Sequence, residues 1–323
     1  MPEPSIRHVE IARFAADRVN LRREDAKEFR EQVNRLREKL EVFIKEHPDY
    51  GLIKMLLSGS LAKGMALKDL NDIDVALYVA ASSAPVDEIE LLYWLADRLR
   101  KAYPNMDPGQ VELGTHVVRI SFHGTGLDVE VVPVHYGGLP NDCGYLVDRE
   151  TGKRVLTSIP LHLAFIRARK NAQPDHFAQV VRLVKWWIKQ HKDADKSFRF
   201  KSFMAELIAA HLADSGVDMS NYPVALEQFF RYLVRSRLEE RIVFKDYHGL
   251  SDLPARRSDV IEIFDPVNPA NNAAEGYTDH DRRGIVDAAE EALSALAEAR
   301  FATTNEREIR CWQRIFGPSF RGE

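Results

Sequence analysis

The chain has 323 residues, of which 45% are hydrophobic and 29% are charged, and its formal net charge is −4 at pH 7. These values are typical of a globular protein, exclude extensive disorder and fibrous architecture, and at this length favour two domains. The apolar runs are too short to span a membrane and the N-terminus lacks a signal-peptide core, so we expect a cytoplasmic protein. The only cysteines, Cys143 and Cys311, exclude a disulfide framework and a multi-cysteine zinc module.

The first half of the chain has the pattern of a sheet with helices. Apolar residues recur at steps of four and three, which predicts one long helix over about residues 11–46, ended by Pro48. A buried strand follows, then a second helix, then two strands joined by a turn-rich link that predicts a hairpin at residues 123–126. The predicted strands are 73–80, 115–122 and 127–134, and the second helix is 86–102.

Beyond Pro160 the pattern is almost wholly helical. The segment from Tyr136 to Pro160 is rich in glycine and breaks regular structure. We therefore predict two domains, a core of residues 1–155 that includes the long N-terminal helix, and a helical lobe of residues 156–323. The predicted helices of the lobe are 161–171, 176–191, 203–215, 224–237 and 285–300, with a loop at 265–272.

Two aspartates at the start of the first predicted strand carry the strongest chemical signal. Alternate side chains of a strand share a face, so Asp72 and Asp74 point the same way while Ile73 points into the core. Carboxylates arranged in this way can share a pair of Mg²⁺ ions, which stabilise the attacking and leaving oxygens of phosphoryl transfer. An isolated Asp-x-Asp is more often a solvated strand edge, so the neighbouring residues decide its meaning.

A Gly-Ser turn lies about a dozen residues upstream of the aspartates. Gly59 lets backbone amides approach a phosphate, Ser60 adds a hydroxyl at a helix start, and Lys63 supplies a cation. Gly-Ser alone is usually only a turn. In combination with Asp-x-Asp at this spacing, it favours a nucleotide-binding and metal-binding site.

A third carboxylate is expected from a neighbouring strand. Asp128 and Glu130 lie on one face of the predicted strand 127–134, among valines. Acids in a buried strand are costly unless a metal or a cation compensates them, which favours a functional role. The residues themselves leave both acids as candidates.

The helical lobe contains a basic stripe. Arg182, Lys185 and Lys189 lie beside the apolar face of one predicted helix. Such a stripe could hold the β- and γ-phosphates of a nucleotide, and a solvated helix face is an equally good explanation from spacing alone. Ser202 precedes another helix, where a helix cap is one role for it.

At these residues the chain resembles the cyclic GMP-AMP synthase and oligoadenylate synthetase superfamily, and in particular its bacterial branch, the CD-NTases of antiphage (CBASS) operons. The similarity extends over nearly the whole chain, in a specific order of blocks. The matching blocks are GSLAKGMALKDLNDIDVALYV from Gly59, GLDVEVVPV from Gly126, FAQVVRLVKWW from Phe177, FRFKSFMAELI from Phe198 and DPVNPANN from Asp265.

The resemblance implies an α+β fold with a polymerase-beta-type nucleotidyltransferase core, a mixed sheet, a helical oligoadenylate-synthetase-like lobe and an active site in the cleft between them. It implies two Mg²⁺ ions, for which Mn²⁺ can substitute, held by Asp72, Asp74 and a third acid. The family places that acid three positions before a proline, which selects Glu130 over Asp128, although a glutamate there departs from the pattern. It also assigns triphosphate contacts to Lys185 and Ser202, with Lys189 nearby, and a phosphate turn to Gly59 and Ser60.

The implied activity is synthesis of a cyclic oligonucleotide messenger, in particular cyclic tri-adenylate or a related cyclic di- or trinucleotide, from ATP and other nucleoside triphosphates. The implied partners are a HORMA-domain activator, an AAA+ ATPase regulator and, as in some relatives, a nucleic-acid activator. The cysteine-rich zinc insertion of the animal synthase is absent. Two alternatives stay open from the residues: a linear nucleotidyltransferase acting on RNA, an oligonucleotide or a protein, and a catalytically silent binding module.

Overall fold

The structure is a computed structural model that describes residues 6–70, 72–123, 126–147, 153–253, 255 and 258–322. Two compact units make up the chain. One unit spans residues 21–164. The other contains the described residues up to Asn20 together with those from Phe165 onward. We call the first the sheet unit and the second the helical unit.

The sheet unit contains a mixed sheet. Strands β2 and β5 are parallel, whereas the other neighbouring pairs are antiparallel, and the spatial order is β1-β2-β5-β4-β3 with β6 beside the end of β5 and β7 beside β6. This arrangement confirms the predicted mixed sheet. The strands are β1 Leu52–Leu57, β2 Asp72–Ala80, β3 Val111–Leu113, β4 Val118–Phe122, β5 Leu127–Tyr136, β6 Gly144–Val147 and β7 Arg154–Thr157.

Ten α-helices lie in the described residues, four of them up to Ala102 and six beyond Ser158. The five helices predicted after Pro160 are confirmed, and a sixth follows them. The helices are α1 His8–Phe14, α2 Arg23–Glu46, α3 Gly59–Lys63, α4 Glu88–Ala102, α5 Ile159–Ala172, α6 His176–Ala194, α7 Ser202–Asp214, α8 Tyr222–Ser236, α9 Asp279–Arg300 and α10 Asn305–Phe316.

Helices α2 and α4 cover one face of the sheet. The apolar stripe of α2, which includes Val33, Leu36 and Leu40, packs into the same core as the inward residues of the sheet. Along β2 the buried side chains Ile73 and Val75 alternate with the aspartates, because successive side chains of a strand point to opposite faces. The helix-covered face is therefore apolar, and the opposite face carries the polar ends of β2 and β5.

The N-terminal region differs from the single helix predicted over residues 11–46. Helix α1 continues into a π-helical turn that ends at Val19, and α2 begins only at Arg23. Phe14 stacks on Phe316 of the helical unit, and the Asn20 side chain exchanges hydrogen bonds with Gln179. The described residues before Leu21 therefore belong with the helical unit, not with the predicted 1–155 core. An apolar stripe shows that a helix packs but not which body it packs against.

Four short strands had no clear signal in the sequence, namely β1, β3, β6 and β7. They have three to six residues each, too few for a reliable alternation of apolar and polar side chains. The predicted hairpin of β4 and β5 is confirmed, with Phe122 opposite Leu127. Part of its predicted turn, Gly124 and Thr125, lies outside the described residues.

The helical unit is built around α6. Trp187 on this helix is fully buried and packs against Phe200 and Phe230. Within the described ranges, no helix combines the length and the apolar character that crossing a membrane requires. Cys143 and Cys311 are both free thiols, as predicted.

Candidate active site

The register between β2 and β5 brings four carboxylates onto one face of the sheet. Asp72 lies opposite Asp128, and Asp74 lies opposite Glu130, on parallel strands. The residues between them, such as Ile73 and its neighbour Val129, are fully buried on the other face. Sequence alone placed each pair of acids on one strand face, and the pairing of the two strands makes them a single cluster.

The pKa of Asp72 is raised above its usual value. Partial burial is the largest cause, followed by the negative charge of Glu130, and Asp128 adds to the effect. The guanidinium of Arg119 acts in the opposite direction and lowers the pKa. The cluster thus concentrates negative charge, which is unfavourable unless cations share it.

Arg119 is a member of the site that the sequence analysis missed. It lies on β4 directly opposite Glu130, and its Nη2 donates a hydrogen bond of 2.8 Å to Glu130 Oε1. Its Nε lies 3.7 Å from Asp128 Oδ2. The signal that could have found it is the alternation on β4, where Arg119 stands between the buried Val118 and Ile120 and so faces the acids.

Gly59 lies against Asp74 at the start of the short helix α3. A Cβ atom added at Gly59 would be 1.8 Å from Asp74 Oδ2, and the φ angle of Gly59 is +62°. The amide of Ser58 donates a 2.9 Å hydrogen bond to the Asp74 carbonyl oxygen, which fixes this segment to β2. The predicted Gly-Ser turn therefore lies beside one of the predicted metal ligands.

Ser60 and Lys63 are also on α3, and both are partly exposed. The Ser60 carbonyl oxygen accepts a hydrogen bond from the amide of Met65, and Gly64 ends the helix in the left-handed conformation. This tight turn keeps α3 next to the beginning of β2.

The donor set of the cluster fits hard divalent cations. Carboxylate oxygens are the ligands that Mg²⁺ and Mn²⁺ prefer, and the register brings acids of two strands to one face. The absent Cβ of Gly59 leaves room for the carboxylate of Asp74. In the part of the chain that the structure describes, no three His, Cys, Asp or Glu side chains converge into a preformed metal cluster. The fit therefore rests on ligand chemistry and strand register.

The predicted basic stripe of Arg182, Lys185 and Lys189 belongs to the helical unit. Lys185 on α6 is buried, and its Nζ lies 3.6 Å from Oε1 of the buried Glu206 on α7. Lys189, one turn further along α6, has its Nζ 2.7 Å from Asp193 Oδ2. Arg182 donates hydrogen bonds to Asn20 and Gln179. Lys185 and Arg182 are thus bound to partners within their own unit, whereas Lys189 forms an exposed ion pair one turn along the same helix.

Ser202 is the first residue of α7, after the N-cap residue Lys201. Its suggested role as a helix cap is therefore wrong, because the cap position precedes it. The backbone amide of Lys201 donates a hydrogen bond to the hydroxyl of Tyr277. Tyr277 lies in the loop that follows Asn272, a residue in an isolated β-bridge.

The chain is similar over its full length to two curated bacterial proteins. It is 53% identical over 322 residues to the cyclic AMP-AMP-AMP synthase of Escherichia coli (strain MS 115-1), covering 100% of both chains. It is 30% identical over 321 residues to the CBASS oligonucleotide cyclase CdnC of Escherichia coli (strain KTE188), covering 98% of both.

Two solved structures of CdnC from E. coli MS115-1 have the same fold. The structure with ATP has a TM-score of 0.95 and the complex with HORMA-deltaN has 0.94, each at 53% identity and covering 98% of this chain and 99% of the other. No protein-family model matches the chain. The full-length identity to curated cyclases, together with the paired carboxylates, shows that the chain belongs to the CD-NTase family of CBASS oligonucleotide cyclases, nucleotidyltransferases that use a divalent metal ion.

Proposed function

We propose that this protein makes cyclic AMP-AMP-AMP from ATP, with the acids of β2 and β5 as its catalytic centre. The observation that carries the proposal is the strand register in which Asp72 faces Asp128 and Asp74 faces Glu130. The 53% identity to a cyclic AMP-AMP-AMP synthase supports this choice of base and ring size.

Asp72, Asp74 and Glu130 would hold two Mg²⁺ ions, with Asp128 as the alternative third ligand. When bound, the ions neutralise charge on the phosphates and favour in-line attack of a 3′-hydroxyl on an α-phosphate, with release of pyrophosphate. The protein contributes to catalysis by holding these carboxylates in place on two paired strands. Gly59 leaves Asp74 in place, since any larger residue would collide with it.

The residues proposed to bind phosphate fall into two sets. Gly59, Ser60 and Lys63 offer a turn, a hydroxyl and a cation beside Asp74. The family resemblance also assigns triphosphate contacts to Lys185, Lys189 and Ser202, which belong to the helical unit. Lys185 can make such a contact only by sharing its ammonium group with Glu206, or by leaving it, because the two are 3.6 Å apart.

A HORMA-domain protein is the proposed regulatory partner. The support is the solved complex of the 53% identical CdnC with HORMA-deltaN. An AAA+ regulator and a nucleic-acid activator stay predictions of the family resemblance alone.

The test is product analysis with the purified protein. The protein is incubated with Mg²⁺ and each of ATP, GTP, CTP and UTP, singly and together, with and without a HORMA partner and duplex DNA. Products are treated with phosphatase and identified by mass spectrometry. The Asp72→Asn/Asp74→Asn variant is run in parallel and its fold is checked by circular dichroism.

The expected result is a phosphatase-resistant species with the mass of cyclic tri-adenylate, lost in the double variant. A cyclic product with another base composition would overturn the assignment of ATP as sole substrate. Phosphatase-sensitive or protein-linked products alone would overturn cyclisation. Full activity of a folded double variant would overturn the proposed catalytic centre.

A further inference from the structure

Three strands place Asp74, Glu130 and Arg119 side by side in one row. Asp74 of β2 is opposite Glu130 of β5, and Glu130 is opposite Arg119 of β4. The Arg119 guanidinium is bonded to Glu130 at 2.8 Å and is 3.7 Å from Asp128. One arginine therefore reaches both candidates for the third metal ligand.

Because of this contact, the guanidinium of Arg119 and a divalent metal ion would compete for the carboxylate of Glu130. The Arg119 pair occupies Glu130 Oε1, so a metal that uses this oxygen must displace the guanidinium or accept a positive charge beside it. The side chain of Glu130 is only 20% exposed, whereas that of Arg119 is 41% exposed. Because the Arg119 side chain is the more exposed of the two, it can change its position more easily than Glu130 can.

We propose that Arg119 is a positioning residue that holds Glu130 in the nucleotide-free protein and releases it when a nucleotide arrives. This rests on the proposed function, because it takes Glu130 as a metal ligand. The triphosphate of the incoming nucleotide supplies negative charge that attracts the metal and offsets the positive charge of the arginine. Arg119 thereby weakens metal binding to the empty site and makes it depend on nucleotide.

Such coupling is reciprocal, since a nucleotide that tightens metal binding is itself bound more tightly by the metal-loaded protein. Arg119 adds to the coupling only through its positive charge, which lies beside Glu130 and Asp128. Its removal should therefore change metal affinity in the absence of nucleotide more than in its presence.

The experiment measures Mn²⁺ binding directly, by electron paramagnetic resonance of free Mn²⁺, so no turnover is needed. The proteins are the wild type, Arg119→Gln, Arg119→Lys and the matched control Arg154→Gln, whose guanidinium lies over the ring of Tyr145 on a neighbouring strand. Each is titrated with and without an ATP analogue that cannot be cleaved between the α- and β-phosphates. Thermal melting verifies that each variant is folded.

Arg119→Gln should bind Mn²⁺ roughly tenfold more tightly without nucleotide, the size expected for loss of one competing charge-assisted hydrogen bond. The gain in affinity that the analogue produces should shrink by a similar factor. Arg119→Lys should lie between this variant and the wild type, and Arg154→Gln should match the wild type. Unchanged or weaker Mn²⁺ binding in a folded Arg119→Gln protein would overturn the proposal.

A double-mutant comparison tests which acid transmits the effect. In a Glu130→Gln background, the Arg119→Gln change should no longer tighten Mn²⁺ binding, whereas in an Asp128→Asn background it should still do so. The opposite pattern would overturn the assignment to Glu130. Asp72→Asn/Asp74→Asn should bind little Mn²⁺ whatever residue 119 is, and strong binding there would instead contradict the proposed metal centre itself.

Discussion

Gly59 lies so close to Asp74 that a single added carbon atom would overlap the carboxylate, with 1.8 Å between that Cβ and Asp74 Oδ2. Gly59→Ala should therefore displace Asp74 and also strain a backbone with φ of +62°. We expect a loss of activity of about 100-fold or more, because displacement of a reacting group by about 1 Å has an effect of that size.

The matched control is Gly138→Ala. Gly138 also has a positive φ, +81°, but nothing lies within 4 Å of a Cβ added there. Backbone strain should cost each variant about 1 kcal/mol of stability, measured by urea unfolding. Gly59→Ala should lose more because of its contact with Asp74, and only this variant should lose activity. Equal activity in the two variants would contradict the role given to the contact with Asp74.

The two acids of β5 should differ in importance. Glu130→Gln should reduce kcat by a factor of about 100 or more, since a bound metal ion contributes several kcal/mol, and it should raise the Mg²⁺ concentration needed for half-maximal activity. Asp128→Asn should have the smaller effect on both. The measurement is kcat as a function of Mg²⁺ concentration, and a larger defect in Asp128→Asn would make Asp128 the third ligand.

The buried pair of Lys185 and Glu206 complicates any test of the lysine as a phosphate contact. Lys185→Met removes the cation that faces a buried carboxylate, so it should cost about 3 kcal/mol of stability. In the double variant Lys185→Met/Glu206→Met, most of that loss should be recovered, because neither charge remains buried.

The nucleotide affinity of the double variant then reports the phosphate role separately from folding. ATP binding, measured by calorimetry with Mg²⁺, should remain weakened by about tenfold, the worth of one charge-assisted contact. Wild-type affinity in a stable double variant would show that Lys185 serves only the packing of α6 on α7.

His135 should make the protein less stable in acid. It is 1% exposed, and its pKa is lowered mainly by burial and next by the positive charge of Arg154. A histidine that protonates less readily when folded adds stability above its usual pKa of about 6.5, and that stability falls as the pH drops below this value. His135→Phe should therefore make the loss of stability between pH 7 and pH 5 less steep.

The measurement is urea unfolding of both proteins at several pH values. His8 and His191 also have lowered pKa values from burial, so the variant should keep part of the slope. A slope identical to that of the wild type would show that His135 does not contribute.

The sequence by itself determined which acids share a strand face and where the helices with long periodic patterns lie. Asp72 and Asp74 could be assigned to one face because a strand alternates its side chains with a period of two. The helices beyond Pro160 could be predicted because each repeats its apolar residues over several turns. The sequence predicted that Gly59 allows the close approach of a phosphate, and the structure shows the Asp74 side chain close to it.

Only the tertiary structure decided how these parts combine. The register of β2 against β5 made two separate pairs of acids into one cluster, and the register of β4 added Arg119 to it. The described residues before Leu21 belong to the helical unit, although the sequence predicted one helix over residues 11–46. Strand pairing and the choice of packing partner depend on contacts between residues far apart in the chain, and local patterns of apolar residues do not encode those contacts one by one.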